Sequence, residues 1–283
     1  MPRSRAATFT DVRATRDPAL ILPVLARDRL LSAYAVCDLE PREMPRTRWG
    51  VALADGDPVA VVCEYAGPSP QPVHVAGDPA GVAEILRRVI RPRIAWLSGR
   101  ADLLDAVAEV YRVDPGPAML RMATDRATFR PGPPGAIRLS ARDTNELNRL
   151  YGLGMTGWLP SAAVEEGVYY GIRSGGRLVA AAGTHVIGQG MGLAVVGNVL
   201  TRADQRGRGY AKAVTGAVTA ELLAAVPDVV LNVRADNPPA IAVYRALGYA
   251  EHARFEERLV HRRGTLWDSI SAPIRRIAQR RSV

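Results

Sequence analysis

The chain has 283 residues and a mass of 30.4 kDa, longer than the usual single domain, so two domains of ordinary size are expected. With 48% hydrophobic and 23% charged residues it has the apolar material for a sizeable core, which argues against overall disorder, and its longest apolar runs, such as 218–226, are too short for a membrane span. The formal net charge of +9 comes from 37 basic residues, all arginine except Lys212, and it favours anionic partners without choosing among nucleic acid, membrane surface and a phosphorylated small molecule.

Met1-Pro2-Arg3-Ser4-Arg5 is basic but is followed by Asp11, Arg13, Arg16 and Asp17 rather than a long apolar core. It does not read as a secretory signal, and the expected compartment is the cytoplasm. Cys37, in a helical pattern, and Cys63, in a strand pattern, read there as small buried apolar residues; two cysteines are too few for metal-site spacing, so no metal is expected. Runs at 49–54 and 58–65 flank the turn Asp55-Gly56-Asp57 as a hairpin. A strand at 94–97 precedes Arg100-Ala101-Asp102 and a helix ending in Tyr111-Arg112.

Pro131-Gly132-Pro133-Pro134-Gly135 is the densest cluster of breakers, where proline forbids helix and central strand and glycine frees the backbone. The expected domains are 1–125 and 137–283, with 126–136 as linker. In the second half Asp143 can cap a helix running to Tyr151, and a less regular stretch with Trp158, Glu165 and Glu166 follows. Strands at 168–173 and 177–187 are joined by Ser174-Gly175-Gly176, and Gly188-Gln189-Gly190 turns into a third at 191–200. A loop over 201–208 leads to a helix at 209–225 ended by Pro227, then a strand at 229–233. Asn237-Pro238-Pro239 starts a second helix that Gly248 closes, and two last strands cover 250–260.

This order gives an α/β (α+β) domain with a mixed, mostly antiparallel sheet flanked by helices. The hairpin at 49–65 matches that at 169–184, and Ile94 to Asp102 matches Val229 to Asp236, so the first half reads as a weak repeat of the second. In the basic tail, Ile270, Ile274 and Ile277 recur at helical spacing. That stripe is expected to pack on its own domain or on a partner subunit, which admits a homodimer, and leaves the arginines in water.

The chemistry-bearing stretch is Arg206-Gly207-Arg208-Gly209-Tyr210-Ala211, between a strand and a helix. Glycines let a backbone approach a ligand, consecutive amides can point inward, and a helix N-terminus adds positive potential, so the loop suits a pyrophosphate. Arg202, Arg206, Arg208 and Lys212 outweigh Asp204 around it. A second motif follows, Asn237-Pro-Pro-Ala240-Ile-Ala-Val-Tyr244-Arg-Ala-Leu-Gly248-Tyr249. Together the two resemble the GNAT superfamily of acyl-CoA-dependent N-acyltransferases, whose loop reads Arg/Gln-x-x-Gly-x-Gly/Ala and whose later helix reads Asn-x-x-Ala-x-x-x-Tyr-x-x-x-Gly-aromatic. The resemblance covers 137–260.

It implies two GNAT-like domains, the first degenerate, and acetyl-CoA or another acyl-CoA as cosubstrate. Val199 and Leu200 would then pair their backbone with the pantetheine arm as an added strand does. Arg206, Gly207, Arg208, Gly209, Tyr210 and Ala211 would hold the pyrophosphate, and Asn237 would contact the cosubstrate, cap its helix, or do both. An amine attacks the thioester directly; a backbone N–H near Val199 stabilises the oxyanion, and Tyr244 protonates the leaving sulfur. An alkylammonium of pKa about 10.4 is only roughly one part in two thousand neutral at pH 7, so a base or water relay is needed. No carboxylate lies between Arg177 and Thr201. His185 is the candidate base, with Glu165 and Glu166 as rivals.

The acceptor implied is an amine of a small molecule or peptide. A non-catalytic acyl-CoA sensor and an RNA-associated protein are the alternatives, nucleic acid being the less favoured partner. In the first half Gly77-Asp78-Pro79-Ala80-Gly81 puts an acid where the loop of the second half has arginines, so that half is expected to be structural.

Overall fold

The computed structural model describes residues 9, 11–67, 69–152 and 159–264; Met1 to Arg5, Trp158 and the isoleucines of the tail lie outside the described residues. Two compact units make up the chain. One holds the chain up to Arg27, Met44–Pro117 and the chain from Phe255; the other holds Asp28–Glu43 and Ala118–Arg254.

In chain order the first half runs β1 (Asp11–Thr15), α1 (Pro18–Leu25), α2 (Ala33–Cys37), β2 (Thr47–Ala54), β3 (Asp57–Tyr65), β4 (Gln71–Gly77), α3 (Pro79–Arg88), β5 (Ile94–Gly99), α4 (Leu104–Ala108) and β6 (Tyr111–Val113). The second runs β7 (Met119–Asp125), β8 (Ile137–Arg138), α5 (Thr144–Tyr151), α6 (Ser161–Glu166), β9 (Tyr170–Ser174), β10 (Arg177–Gly188), β11 (Leu193–Thr201), α7 (Tyr210–Ala225), β12 (Asp228–Arg234), α8 (Pro238–Ala246) and β13 (Ala250–Arg262). Among the described residues no helix is long and apolar enough to cross a membrane.

In the first unit β1 to β4 form antiparallel pairs, and β4 meets β5 in parallel. α3 packs on this sheet, its Val82, Ile85 and Leu86 buried with Val62, Val75 and Leu97. The next place in the sheet is filled by β13, whose residues from Glu256 to His261 run antiparallel to β5 and whose last residues pair with β6. The second unit repeats the plan. β8, β9, β10 and β11 are antiparallel neighbours, β11 meets β12 in parallel, and β7 runs antiparallel along the whole of β12. Each sheet is therefore completed by a strand from across the expected domain boundary: β7 lies within 1–125 but pairs in the second sheet, and β13 lies within 137–283 but pairs in the first. α7 and α8 cover one face of the second sheet, burying Val214, Val218, Leu222, Ile241 and Leu247 against Ala194, Val196, Val229 and Leu231.

The structure differs from the sequence expectations in several places. The units part between Pro117 and Ala118 because β7 belongs wholly to the second sheet. The breaker-rich segment then lies inside that unit: Arg130 N donates to Leu247 O at 2.9 Å, and Gly132 sits so close to α7 that a Cβ there would meet Lys212 O at 2.6 Å. Residues 250–262 form one strand rather than two, no turn residue interrupting them, and Tyr111-Arg112 begin β6 instead of ending a helix. Asp143 acts through a capping box, its carboxylate accepting from Ser140 N at 2.9 Å, and 161–166 are helical rather than irregular.

Candidate active site

The site starts where two parallel strands part. β11 and β12 pair only from Leu193 with Asp228 to Val196 with Leu231. Beyond that point β11 stays with β10, Gly197 opposite Gly183 and Thr201 opposite Ala180, while β12 stays with β7, Asn232 opposite Arg121 and Arg234 opposite Met119. From Gly197 to Thr201 one edge of β11 consequently has no strand partner among the described residues. Unpaired backbone of this kind is a template for an extended ligand. A register shift between Ala181 and Gly183 marks a bulge at this level, and Asn198 takes φ +53° within it. Such a bulge re-aims backbone groups. Tyr151 donates its hydroxyl to Asn198 O at 2.8 Å, Asn198 Nδ2 donates to the Tyr169 hydroxyl at 3.2 Å, and Tyr169 donates to Thr184 O at 3.0 Å.

The strand leads into the arginine-glycine loop. Gly207 and Gly209 have φ of +77° and +79°, and a Cβ at either would meet nothing within 4 Å, so the loop backbone borders open space. Gly209 is also the N-cap of α7 and offers no side chain to the first turn. The intrahelical ladder begins with Ala213 N on Gly209 O at 3.1 Å, which leaves the amides of Tyr210, Ala211 and Lys212 for another acceptor. Arg202 is held by Asp204 in two hydrogen bonds of 3.1 and 3.0 Å, whereas Arg206 and Arg208 are exposed. Thr201 Oγ1 and Gln205 Oε1, on either side of the turn, are shut off from solvent with no hydrogen-bond partner among the described residues. An uncapped helix end, a positive surround and the Thr201 hydroxyl, which can donate, fit a pyrophosphate; Gln205 Oε1 is an acceptor and adds nothing to that fit.

The two proline-led helices that follow a strand in the same way, α8 and α3, have side-chain caps. Asn237 Oδ1 caps α8 by accepting from Ala240 N at 3.3 Å, and Asp78 caps α3 by accepting from Gly81 N at 3.0 Å. Tyr244, on α8, is 7% exposed and belongs to the core cluster against which Val199 and Tyr210 pack, so the strand edge, the start of α7 and the Tyr244 ring meet in one apolar cluster. Its ring stands edge-on to Tyr249 with centroids 6.2 Å apart. Burial pushes the Tyr244 hydroxyl up to about 12, so it stays protonated and able to donate through the neutral range. Leu200 is half-buried on the same strand.

His185 lies on the other face of the sheet. Its ring covers Gly197 so closely that a Cβ there would fall 1.8 Å from the imidazole, so a larger residue would displace the ring. The His185 side chain is exposed to solvent on this face. Desolvation, then the charge of Arg121, hold its pKa below the ordinary value. Arg121 is buried on β7, donates to Leu31 O at 2.9 Å and sits 5.4 Å above the Tyr34 ring, which in turn stands 5.8 Å from the His185 ring. The rival carboxylates are engaged elsewhere: Glu165 accepts from Ala141 N at 3.2 Å and Glu166 pairs with Arg42.

Tyr34 arrives on a strap, residues 28–43, that the first half of the sequence contributes to this unit. Arg29 pairs with Asp228 at 2.7 Å and donates to Met191 O and Gly192 O at 3.2 and 3.1 Å. Glu40 accepts from Met191 N at 3.2 Å, and Gly188 lies flat on Cys37. Burial and the Asp38 carboxylate push the Cys37 thiol up to about 12, so it is an inert neighbour. Tyr34, Arg121 and Asn232 escaped sequence reasoning. Only Asn232 had a local signal, a polar residue amid Val229, Val230, Leu231 and Val233.

Residues 169–259 match the family described as FR47-like protein. No curated protein matches the chain in sequence. Among solved structures, the GCN5-related N-acetyltransferase from Sphaerobacter thermophilus is 18% identical, covers 91% of this chain and 98% of its own, and superposes with a TM-score of 0.59. A tandem GNAT protein of the clavulanic acid biosynthesis pathway is 15% identical over 90% of this chain and 99% of its own, with a TM-score of 0.55. The GCN5-related N-acetyltransferase from Kribbella flavida is 21% identical over 73% of this chain and 89% of its own, with a TM-score of 0.53. The chain has the fold of the GNAT superfamily, present twice.

Proposed function

We propose that this protein is an acetyl-CoA-dependent N-acetyltransferase of the cytoplasm, catalytic in its second unit and acting on a primary amine of a small molecule or peptide. The observation that carries this reading is the uncapped start of α7, with its two positive-φ glycines, set at the foot of the unpaired edge of β11. A phosphate chain and a strand-like arm of one ligand suit those two surfaces in that order.

On this reading the amides of Gly207, Gly209, Tyr210 and Ala211 hold the pyrophosphate, with Arg206 and Arg208 adding charge. The edge at Val199 and Leu200 holds the pantetheine arm, and Asn237 keeps α8 in register while it caps. The bulge at Asn198 turns a backbone N–H toward the thioester oxygen, where a preorganised donor contributes about 3 to 4 kcal/mol. His185, kept neutral, takes the amine proton from one face of the sheet. Tyr244 delivers a proton to the departing sulfur from the other. The parting of β11 and β12 is the gap through which the two faces communicate.

Calorimetry with acetyl-CoA tests the assignment. Gly209→Val places a branched side chain in the cradle and on a φ of +79°, forfeiting hydrogen bonds to a charged group of about 1.5 to 3 kcal/mol each. Affinity should fall tenfold or more with the fold intact by circular dichroism; unchanged affinity sinks the assignment. Release of free CoA on adding amines separates an enzyme from a sensor.

A further inference from the structure

We propose that Asn232 is the residue that orients the acceptor amine; this rests on the N-acetyltransferase reading of the same site. Leu231 is the last residue of β12 paired with β11, so Asn232 and Gly197 are the first residues on either side of the parting. Val229, Leu231 and Val233 point into the core beneath α7 and α8, which puts Asn232 on the opposite face. That is the face where the His185 ring covers Gly197 and where Arg121, the register partner of Asn232, sits under Tyr34.

The Asn232 amide is chemically out of place for a structural residue. Its Oδ1 is shut off from solvent with no hydrogen-bond partner among the described residues. A buried acceptor left unmade is destabilising, and leucine would fill the same volume in this strand without that penalty. The residue type therefore answers to polar groups rather than to packing: its register partner Arg121 brings guanidinium N–H groups to the same face, and a bound amine is a further donor from which the carbonyl oxygen can accept.

A neutral primary amine supplies one. One N–H donated to Asn232 Oδ1 fixes the nitrogen at the parting and leaves its lone pair aimed at the thioester carbonyl. The C–N bond forms as the C–S bond breaks. The sulfur leaves with the electron pair and receives the Tyr244 proton, the second N–H proton passes to His185, and solvent exchange restores both side chains.

Asn232→Leu in the full chain provides the test, with hydroxylamine, ethylamine and spermidine as acceptor probes at millimolar concentration. We expect an unchanged or raised melting temperature, acetyl-CoA affinity within threefold of wild type by calorimetry, and amine-dependent CoA release at least tenfold lower through a raised amine KM. Asn232→Asp should keep the oxygen acceptor and recover part of that loss. A lowered melting temperature would make Asn232 a structural residue and overturn the proposal. So would an unchanged amine KM, or loss of acetyl-CoA affinity, which would assign the amide to the pantetheine arm. A wild-type chain that binds acetyl-CoA but releases CoA with none of the probes overturns the acceptor assignment. One that binds no acetyl-CoA overturns the enzymatic reading itself.

Discussion

On the proposed mechanism Tyr244 and His185 divide the proton traffic by their environments. Tyr244 sits in an apolar cluster that raises its pKa, and desolvation, then the charge of Arg121, lowers that of His185, so each is held in the form the proposed reaction uses. Tyr244→Phe removes one oxygen and keeps the ring, so packing should survive while turnover falls at least about tenfold, the low end for general acid catalysis because thiolate leaves readily. Wild-type turnover in that variant would reduce Tyr244 to a core aromatic. A base must be neutral to act, so activity is present above the His185 pKa and lost as pH falls through it. Because that pKa is lowered, the acid limb of kcat/KM, expressed per neutral amine so that the substrate's own titration near about 10.4 drops out, should lie below the ordinary histidine value of about 6.5, and it should vanish in His185→Gln. A limb at or above that value would exclude His185. Both residues could be singled out in the sequence because their motifs or strand are local, but Tyr34 and Arg121 could not, since stacking partners 87 and 151 positions apart leave no pattern in a single chain.

At the scale of elements, periodicity and breakers locate β9 to β12, α7 and α8 closely, because each is a short run bounded by glycine, proline or a cap. The strap is a different kind of object. Residues 28–43 read as part of the first half, and nothing in their spacing says that they dock on β10 and β11; that information lies in long-range pairs such as Arg29 with Asp228. Arg29→Met removes that pair and two carbonyl bonds from a partly exposed site, which should lower stability by about 1 to 2 kcal/mol in thermal or denaturant unfolding. Because the strap carries Tyr34 to the His185 ring, the same variant should raise the amine KM and leave acetyl-CoA affinity within threefold. If stability drops while amine kinetics stay put, the strap is a brace with no part in the acceptor site.

The duplication of the whole fold does not duplicate the site. In the first unit β4 ends at Gly77 and α3 starts at Pro79, leaving one residue, Asp78, whose carboxylate already caps the helix. Gly77 is packed so tightly that a Cβ would fall 2.2 Å from Val59 O. The second unit has eight residues, 202–209, in the same place, enough for a loop that can surround a phosphate. Calorimetry should accordingly find one acetyl-CoA per chain, abolished by Gly209→Val; two sites of similar affinity would overturn this assignment. The sequence showed the acid at Asp78 but hid the exchange of final strands, because β7 and β13 look like ordinary neighbours of the elements that precede them.

That exchange has a consequence in time. A ribosome delivers the chain from its N-terminus, so β5 is synthesised about 160 residues before the strand that pairs with it. Throughout that interval the first sheet has an open edge at β5, with its backbone groups unanswered and able to recruit another nascent chain. The second unit suffers no such wait, since β7 is already out when β12 arrives. The order of completion during biogenesis is therefore the reverse of the order of the genetic message: the second unit closes first, and the first is sealed by β13, the last of the described strands.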